Sequence, residues 1–399
     1  MLSKENKNTD WIKTKGRTFD PIQLKVAYQK NFNQTAKQDY AAQSPNIFVG
    51  RFGYPNINVG FLNTEHYERN DEPLEWSKNN TQIPEIIKLR TQLINSSFKT
   101  TIHSFNEKLL GMAQEISQAA KPVDMEINLE KKPFFSLNMN QEAAPHGPNT
   151  KVKHAQLTEN PKIPIHIDKA VSDNDLKAAD ALNYLTEKGY DEHTLTKLLT
   201  VGNLGIKKQR KLVPTRWGIT AVHSTLGNNI VKQIKDNEQC DYAVYFGSYL
   251  GNYYLLLTFP EVWQYELFET IITEKMPFST DYEPYEGRKE YAHETAGGFY
   301  TVRLACLEKL KQMKRQAAVL ALRFINPNEY VAPLGVWVTL EAARRAINAL
   351  PIVFSSKELL LNYAKLFVKK KFGLDCAPQL QQSILLRNMK RQKKLSTFI

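Results

Sequence analysis

The sequence is poor in cysteine and carries none of the short signatures that mark nucleotide-dependent or zinc-dependent enzymes. Three of its 399 residues are cysteines, and Cys240, Cys306 and Cys376 lie far apart without a CxxC pair. This spacing argues against a disulfide framework and a thiolate metal site, and it indicates a reducing, intracellular setting. The chain has no P-loop, no GxGxxG fingerprint after a strand, no GxSxG elbow and no HExxH pair. An ATPase or a dinucleotide enzyme is therefore disfavoured, and no catalytic triad can be argued.

Long apolar segments are also missing. The first residues are basic, but no apolar stretch follows them, which argues against a targeting signal. The uncharged run 242–260 contains Ser248, Gly251 and Asn252 in its middle, and its short aromatic and aliphatic halves predict a buried β-hairpin. We therefore expect a cytoplasmic protein that does not associate with membranes.

Acidic residues are absent from a long basic stretch. Residues 193–235 contain eight lysines and arginines and no aspartate or glutamate, and residues 369–399 contain eight more against Asp375 alone. Since the formal net charge is +12, the rest of the chain is slightly acidic. Such concentration suits a surface that binds a polyanion, because each cation that neutralises a phosphate releases a condensed counterion. The alternative is a solvated face with a basic tail.

The pattern of apolar residues predicts an α/β or α+β fold with two domains. We expect a larger N-terminal domain with a mixed sheet over residues 1–280 and a smaller, mostly helical domain over residues 290–390. The boundary is expected within residues 281–295, and residues 391–399 are expected to form a flexible tail.

Two local predictions concern the middle of the first domain. Residues 141–167 contain four prolines, which disfavour a continuous helix and predict a long, flexible loop. Residues 217–222 are predicted to form a strand, followed by a helix over residues 226–234.

Three stretches resemble the archaeal Nre family. They are PNIFVGRFGYPNINVG at 45–60, KLVPTRWGITAV at 211–222, and residues 297–310 with 335–338. The resemblance covers most of the chain and implies a role in DNA repair and DNA-damage tolerance and binding to the sliding clamp through a C-terminal peptide. It does not imply a particular biochemical activity. We also expect the cytoplasmic protein to be associated with the nucleoid.

The N-terminal segment departs from the family pattern. Archaeal members commonly begin with a cysteine-rich zinc-binding segment, whereas WIKTKGRTFDPIQLK here retains Lys15, Gly16, Arg17, Pro21 and Ile22 without any cysteine. Without thiolates the zinc site cannot form, so we expect no metal there.

The C-terminal residues match a clamp-binding box. Gln392, Leu395 and Phe398 have the spacing Q-x-x-L-x-x-aromatic, and Ile399 follows them. In one turn of 3₁₀ helix, Leu395 and Phe398 would project on the same side towards an apolar pocket of a PCNA-like clamp. An accidental match in a basic tail is the alternative.

Two basic and aromatic groups are candidates for DNA binding. Glycines and Pro55 surround Arg51 and Tyr54, which indicates a tight exposed loop where Arg51 would bind phosphate and Tyr54 would stack on a base. The second group suits a nucleic-acid backbone with one stacked base, and it consists of Lys207, Lys208, Arg210, Lys211, Arg216 and Trp217. Both groups also have structural explanations, since Tyr54 and Trp217 could belong to the core.

An acidic loop carries the alternative hypothesis of a metal-dependent nuclease. Asp281, Glu283, Glu286 and His293 could hold Mg²⁺ or Mn²⁺ for phosphodiester cleavage, and otherwise no cofactor is expected. Their spacing matches no ligand frame, which favours a solvated or arginine-paired loop and a protein that binds DNA without cleaving it. An RNA-associated protein is a third hypothesis.

Overall fold

The computed structural model of the chain describes residues 36–105, 107–134 and 147–391. They form two compact units, the first ending at Leu226 and the second beginning at Gly227. The fold is α+β, and its C-terminal part is largely helical, as the sequence predicted.

The first unit is built on a closed barrel of five strands with the order β1-β2-β3-β5-β4. The strands are β1 (Asp39–Val49), β2 (Asn56–Thr64), β3 (Ile94–Thr101), β4 (Val123–Leu129) and β5 (Asn149–Leu157). All neighbouring strands are antiparallel except β3 and β5, which are parallel. Five strands in this order, with a helix between the third and the fourth, form the arrangement of the OB-fold.

Helices close and extend the barrel. They are α1 (Pro73–Lys78), α2 (Ile83–Thr91), α3 (Lys108–Gln118), α4 (Ile165–Ser172), α5 (Ala178–Glu187), α6 (Glu192–Thr200) and the first part of α7 (Thr215–Ile234). Strand residues alternate between buried and exposed, as in β4, so that one set fills the barrel. Leu110, Ala113 and Ile116 of α3 pack into the same core as Ile57 and Val59 of β2.

Two local predictions for this unit are wrong. Residues 149–157 form β5 instead of a loop, because the prolines of this region flank the strand and leave its ladder donors free to pair. Residues 217–222 belong to the single helix α7 instead of a strand, and Gly218 packs closely against Thr200 of α6. Residues 141–146 lie outside the described residues.

The second unit contains a six-stranded mixed sheet in the order β11-β6-β7-β10-β8-β9. Its strands are β6 (Tyr242–Tyr249), β7 (Asn252–Phe259), β8 (Gln264–Ile271), β9 (Phe278–Glu283), β10 (Ala318–Ile325) and β11 (Ile352–Phe354). The β6–β7 pair is the hairpin that the sequence predicted. Because β10 lies between β7 and β8, the strands before residue 283 share one sheet with a strand that follows it. The compact units therefore divide within α7, away from the boundary expected at 281–295.

Helices cover both faces of this sheet. They are α8 (Ala296–Met313), α9 (Val336–Ile347), α10 (Lys357–Phe372), α11 (Ala377–Gln382) and α12 (Ile384–Arg391). On one face, Leu360 and Val368 of α10 and Leu385 of α12 pack against Leu255 and Leu257 of the sheet. On the opposite face, the ring of Phe299 in α8 lies 4.9 Å from that of Tyr265.

Candidate nucleic-acid interface

The loop between β1 and β2, residues 50–55, is a compact turn held by its own backbone. Gly50 N–H donates to the carbonyl of Asn58 at 2.8 Å, and Asn56 N–H donates to the carbonyl of Gly53 at 2.8 Å. Gly53 has a φ of +82°, and a Cβ there would lie 2.6 Å from the carbonyl oxygen of Asn56. A side chain is therefore excluded at this position, and the loop can turn tightly.

The turn exposes aromatic side chains. Phe52 is 71% exposed and Tyr54 42%, and the Tyr54 ring centroid lies 5.2 Å from that of Trp217 with the planes inclined by 56°. Trp217 is itself 46% exposed, so neither ring of the pair belongs to the core. We call Phe52, Tyr54 and Trp217 the aromatic cluster. The Arg51 guanidinium lies 5.1 Å from the centroid of the Phe52 ring, which adds a cation beside the cluster.

Hydrogen bonds fasten the segment that carries Trp217 to the end of the barrel. The N–H of Ile102 donates to the carbonyl of Pro55 at 3.1 Å, and the N–H of Leu212 donates to the carbonyl of Ile102 at 2.9 Å. The N–H of Val49 donates to the hydroxyl of Thr215 at 2.9 Å, which ties the end of β1 to the start of α7. The β1–β2 loop and residues 211–217 thus meet at one end of the barrel.

Five of the eight predicted DNA-binding residues come together there. They are Arg51, Tyr54, Lys211, Arg216 and Trp217, and Lys211 and Arg216 are both exposed. Phe52 was missed in the sequence, although its place between Arg51 and Gly53 in a glycine-rich loop was a usable signal, because such a loop leaves a large ring without a core to enter.

Of the other three predicted residues, Arg210 and Lys207 form hydrogen bonds with residues outside the aromatic cluster. The guanidinium of Arg210 donates to the carbonyls of Gly205, Val171 and Asp173 at 2.7–3.0 Å and so holds a loop in place. Lys207 and Lys208 are exposed on a 3₁₀ turn, and the N–H of Lys207 is bound to the carbonyl of Asn174. Arg210 therefore has a structural role that the charge pattern did not reveal.

The basic stretch 193–235 is not one continuous surface. Lys197 lies against the carbonyl of Pro45 at 3.4 Å, and burial lowers the pKa of its ammonium although nearby carboxylates oppose the shift. Lys235 belongs to the second unit, where it donates to the carbonyl of Tyr285 and lies 4.0 Å from the centroid of that ring. The charges that remain exposed near the aromatic cluster are fewer than the sequence suggests.

Asp281 of the acidic loop accepts hydrogen bonds within its own unit. Its carboxylate receives the N–H and the hydroxyl of Thr295 at 2.6 and 2.8 Å, the N–H of His293 at 3.2 Å and the Arg288 guanidinium at 3.1 Å. Asp281 is buried, and all these donors favour a role in shaping the loop.

The remaining candidates of the acidic loop do not converge with Asp281 on one point. Glu283 is buried against the Arg303 guanidinium at 2.8 Å and the Trp263 indole N–H at 3.0 Å, whereas Glu286 and His293 are exposed. In the part of the chain that the structure describes, no group of three or more histidine, cysteine, aspartate or glutamate side chains is arranged to hold a metal ion. The loop has the arginine-paired character that the sequence favoured.

The predicted clamp-binding residues Gln392, Leu395, Phe398 and Ile399 lie outside the described residues. They follow α12 directly. Among the described helices, none is both long and apolar enough to cross a membrane.

By its fold, the protein belongs to the class that joins an OB-type barrel to a second unit built on a mixed sheet. Here the barrel carries an exposed aromatic loop. Residues 16–276 match the N-terminal domain of archaeal Nre proteins, and residues 283–398 match the C-terminal domain. The chain belongs to the archaeal Nre family. The junction of the two matches lies close to the domain boundary expected from the sequence, while the compact units divide earlier.

The chain is similar to three relatives over most of their length. DNA repair protein NreA of Haloferax volcanii is 35% identical over 342 residues, which cover 80% of this chain and 81% of the relative. DNA repair protein NreA of Archaeoglobus fulgidus is 36% identical over 340 residues, covering 82% and 84%. DNA repair protein NreB of Archaeoglobus fulgidus is 32% identical over 369 residues, covering 89% and 90%. No solved structure matches the chain significantly.

Proposed function

We propose that this protein is a DNA repair factor whose barrel unit binds DNA and whose C-terminal peptide recruits it to the sliding clamp. Three similar proteins are named DNA repair proteins. The observation that carries the DNA-binding part is the contact between Tyr54 and Trp217, because two exposed rings beside Arg51 and Arg216 form a stacking surface with cations at its edge. In a folded protein, exposed aromatic groups of this kind indicate a binding site.

The salt dependence of DNA binding tests the cations. A combined variant, Arg51→Ala with Lys211→Ala and Arg216→Ala, removes three positive charges around the aromatic cluster. Each lost phosphate contact should reduce the slope of log affinity against log salt by about 0.7–0.9. Fluorescence anisotropy with labelled DNA, measured over a series of salt concentrations, provides both slopes.

A control variant separates these cations from the net charge of the protein. Lys78→Ala with Lys88→Ala and Lys121→Ala removes the same charge from side chains outside the cluster, of which Lys78 and Lys121 are exposed and Lys88 is partly exposed. We expect this variant to keep the wild-type slope. Equal slopes for the wild type and the cluster variant would remove these cations from the interface. The pair Lys207→Ala and Lys208→Ala, tested separately, shows whether the 3₁₀ turn takes part.

The clamp contact is proposed for residues 392–399. The contact consists of one short peptide that must become ordered on binding, so we expect micromolar affinity and fast exchange. Calorimetric titration of the full chain with the host clamp should give binding that disappears when Leu395→Ala and Phe398→Ala are combined. Lys393→Ala with Lys394→Ala is the matched control, which should keep most of the affinity. Equal heats for the wild type and the Leu395/Phe398 variant would mean that the motif is an accidental match.

A binding protein is preferred to a metal-dependent nuclease. Asp281 and Glu283 use their oxygens for hydrogen bonds within the fold, while Glu286 and His293 are the exposed members of the loop. Cleavage of labelled DNA that requires Mg²⁺ or Mn²⁺ and is lost in Glu286→Ala or His293→Ala would reverse this preference.

A further inference from the structure

The outer face of the barrel beside the aromatic cluster has exposed polar, basic and aromatic side chains at several of its ladder positions. Phe48 of β1 is opposite Gly60 of β2, Gly60 is opposite Ser97 of β3, and Ser97 is opposite Lys151 of β5. Residues that pair in this way share a face across the ladder. Phe48 is 39% exposed, and Lys151 is also exposed. Gly60 and Ser97 are buried, so this row reaches the surface only at its two ends, the Phe48 ring on β1 and Lys151 on β5.

A second row lies nearer the aromatic cluster. Asn58 of β2 is opposite Lys99 of β3, and both side chains are exposed. The carbonyl of Asn58 accepts the hydrogen bond from Gly50, the first residue of the β1–β2 loop, so this row lies beside the start of that loop. Lys153 of β5 is exposed two residues beyond Lys151, on the same face.

The charge on this face is of one sign over its central strands. The exposed residues of β2 and β3 are Asn56, Asn58, Lys99 and Thr101, and none of them is acidic. On β5, Lys151 lies 3.9 Å from Glu130, and both of these side chains are largely exposed. A pair in that setting is weak and can be replaced by a phosphate contact. The face therefore offers cations to a backbone that runs from the loop across the strands.

We propose that this face and the aromatic cluster bind single-stranded DNA, with bases stacked on Phe52, Tyr54 and Trp217 and phosphates bound by Lys99, Lys151 and Lys153. The proposal rests on the DNA-binding function proposed above and specifies its substrate class. In an OB barrel, the face of the second and third strands and the loop between the first two strands are the surfaces suited to oligonucleotides. One such barrel binds about 4–16 nucleotides.

The angle between the rings favours a single strand over a duplex. The bases of a duplex are stacked nearly parallel, so their faces are covered, whereas the Tyr54 and Trp217 planes are inclined by 56°. Two rings at this angle cannot both lie parallel to neighbouring bases of one regular stack. A single strand can turn its bases separately and offer one face to each ring.

The experiment compares nucleic acids and variants with the full chain. Anisotropy is measured with a labelled deoxythymidine oligomer of about 16 nucleotides, a duplex of equal length and a uridine oligomer, since about 16 nucleotides is the upper site size of one barrel. We expect binding of the single-stranded DNA to be at least about tenfold tighter than that of the duplex, because stacking on each ring alone contributes about that factor.

The barrel-face variant combines Lys99→Ala, Lys151→Ala and Lys153→Ala. Its salt slope for single-stranded DNA should be smaller by about 2, since each single-strand phosphate contact contributes about 0.7. The variant with Lys78, Lys88 and Lys121 replaced by alanine is the matched control and should keep the wild-type slope. Five of these six side chains are exposed and Lys88 is partly exposed, so thermal melting should show each variant to be folded.

Three outcomes would overturn the inference in distinguishable ways. Duplex binding as tight as single-strand binding would contradict the substrate class but leave DNA binding in place. An unchanged slope in the barrel-face variant, with binding lost in Phe52→Ala or Trp217→Ala, would remove the face from the path of the strand. Tighter binding of the uridine oligomer would assign the site to RNA. Absence of binding to every oligomer would instead refute the DNA-binding function itself.

Discussion

At the residue scale, Trp217 differs from the other described tryptophans in its exposure. Trp76, Trp263 and Trp337 are buried, and the indole N–H of each donates to a partner within its own unit. Trp217 stands in the first turn of α7, where the backbone is fixed by Pro214 and Thr215 while the ring faces solvent beside Tyr54. Its fluorescence should therefore report on a ligand at the aromatic cluster.

Two substitutions of Trp217 distinguish its contribution to DNA affinity from its contribution to the fluorescence signal. Adding the deoxythymidine oligomer should quench part of the intrinsic fluorescence, because a stacked base contacts the exposed indole. Trp217→Phe should keep affinity within about threefold while the quenching disappears, whereas Trp217→Ala should weaken binding about tenfold. Quenching that persists in Trp217→Phe would show that the oligomer binds near another tryptophan.

Residue-level prediction from the sequence succeeded where the local composition restricted the environment. Glycines and Pro55 around Tyr54 predicted an exposed loop, and the structure has one. Prediction was less successful for Arg210 and Asp281, because the sequence shows their charges but not the backbone carbonyl and N–H groups with which they form hydrogen bonds. Two of the carbonyls that bind Arg210, those of Val171 and Asp173, are 39 and 37 residues away in sequence.

At the scale of elements, the approach of α7 to α6 determines where Trp217 is held. A Cβ on Gly218 would lie 2.5 Å from the methyl carbon of Thr200, and Thr200 is buried with its hydroxyl bonded to the carbonyl of Lys197. The methyl group cannot turn away easily, because a β-branched side chain has few rotamers and this one is held by a hydrogen bond. Glycine is therefore preferred to alanine at this crossing.

Two glycine substitutions in helices should have opposite effects. Gly218→Ala should lower the free energy of unfolding by about 1 kcal/mol, since overpacking costs about 1–3 kcal/mol and helix propensity returns about 1 kcal/mol. Gly111→Ala in α3, where the added carbon would meet no atom within 4 Å apart from its chain neighbours and the backbone of its own helix, should raise it by about 0.5–1 kcal/mol. Denaturant titration of both variants measures the difference.

A second substitution tests whether the contact with the Thr200 methyl group causes the loss of stability in Gly218→Ala. Thr200→Ser removes the methyl group and keeps the hydroxyl, so Gly218→Ala should become neutral or stabilising in that background. If Gly218→Ala stabilised the wild type as much as Gly111→Ala does, the close contact would be refuted.

Sequence patterns predicted elements well where the signal was local. The β6–β7 hairpin was found because two short runs of strand-forming residues flank turn residues. The strand β5 was missed because its flanking prolines were counted against the whole region, and the start of α7 was read as a strand from its β-branched and aromatic residues. In α7, packing against α6 overrides those intrinsic preferences.

At the scale of the whole molecule, closure of the barrel could not be predicted from the sequence. It depends on β1 pairing with β4 and on β3 pairing in parallel with β5, both of which join residues far apart in the chain. Local periodicity contains no information on such pairings. The basic face of the barrel can be recognised only from the strand register, because Phe48, Lys99 and Lys151 belong to no common sequence motif.

The second unit attaches its last helix through a buried carboxylate. Glu266 of β8 accepts hydrogen bonds from the Ser383 hydroxyl at 2.5 Å and from the N–H groups of Ile384 and Leu385 at 3.0 Å, where α12 begins. A negative charge at this end of the helix also interacts favourably with the helix dipole. Burial nevertheless raises the pKa of Glu266, against the effect of these hydrogen bonds.

The stability of the chain should therefore depend on pH through Glu266. Because its pKa is raised on folding, the folded state holds this proton more strongly, and stability is lost as the pH rises from the ordinary glutamate range through the raised value. Glu266→Gln cannot titrate, so the advantage of the wild type over this variant should shrink as the pH rises. Denaturant midpoints of the wild type and Glu266→Gln at several pH values measure this difference in stability.

An exposed glutamate provides the control for this titration. Glu274→Gln should show the pH dependence of the wild type, because Glu274 is exposed in the loop after β8. A constant difference between the wild type and Glu266→Gln at all pH values would contradict the role of burial.

The anchored helix α12 leads directly into the proposed clamp motif. The proposed clamp motif starts at Gln392, one residue after the end of a helix whose first turn is fixed to the sheet by Glu266. A flexible linker lets two joined partners sample many orientations, and its length sets their effective concentration. In the sequence no linker residues separate this motif from α12, so a clamp bound as proposed above would lie within a few residues of the helix that Glu266 anchors.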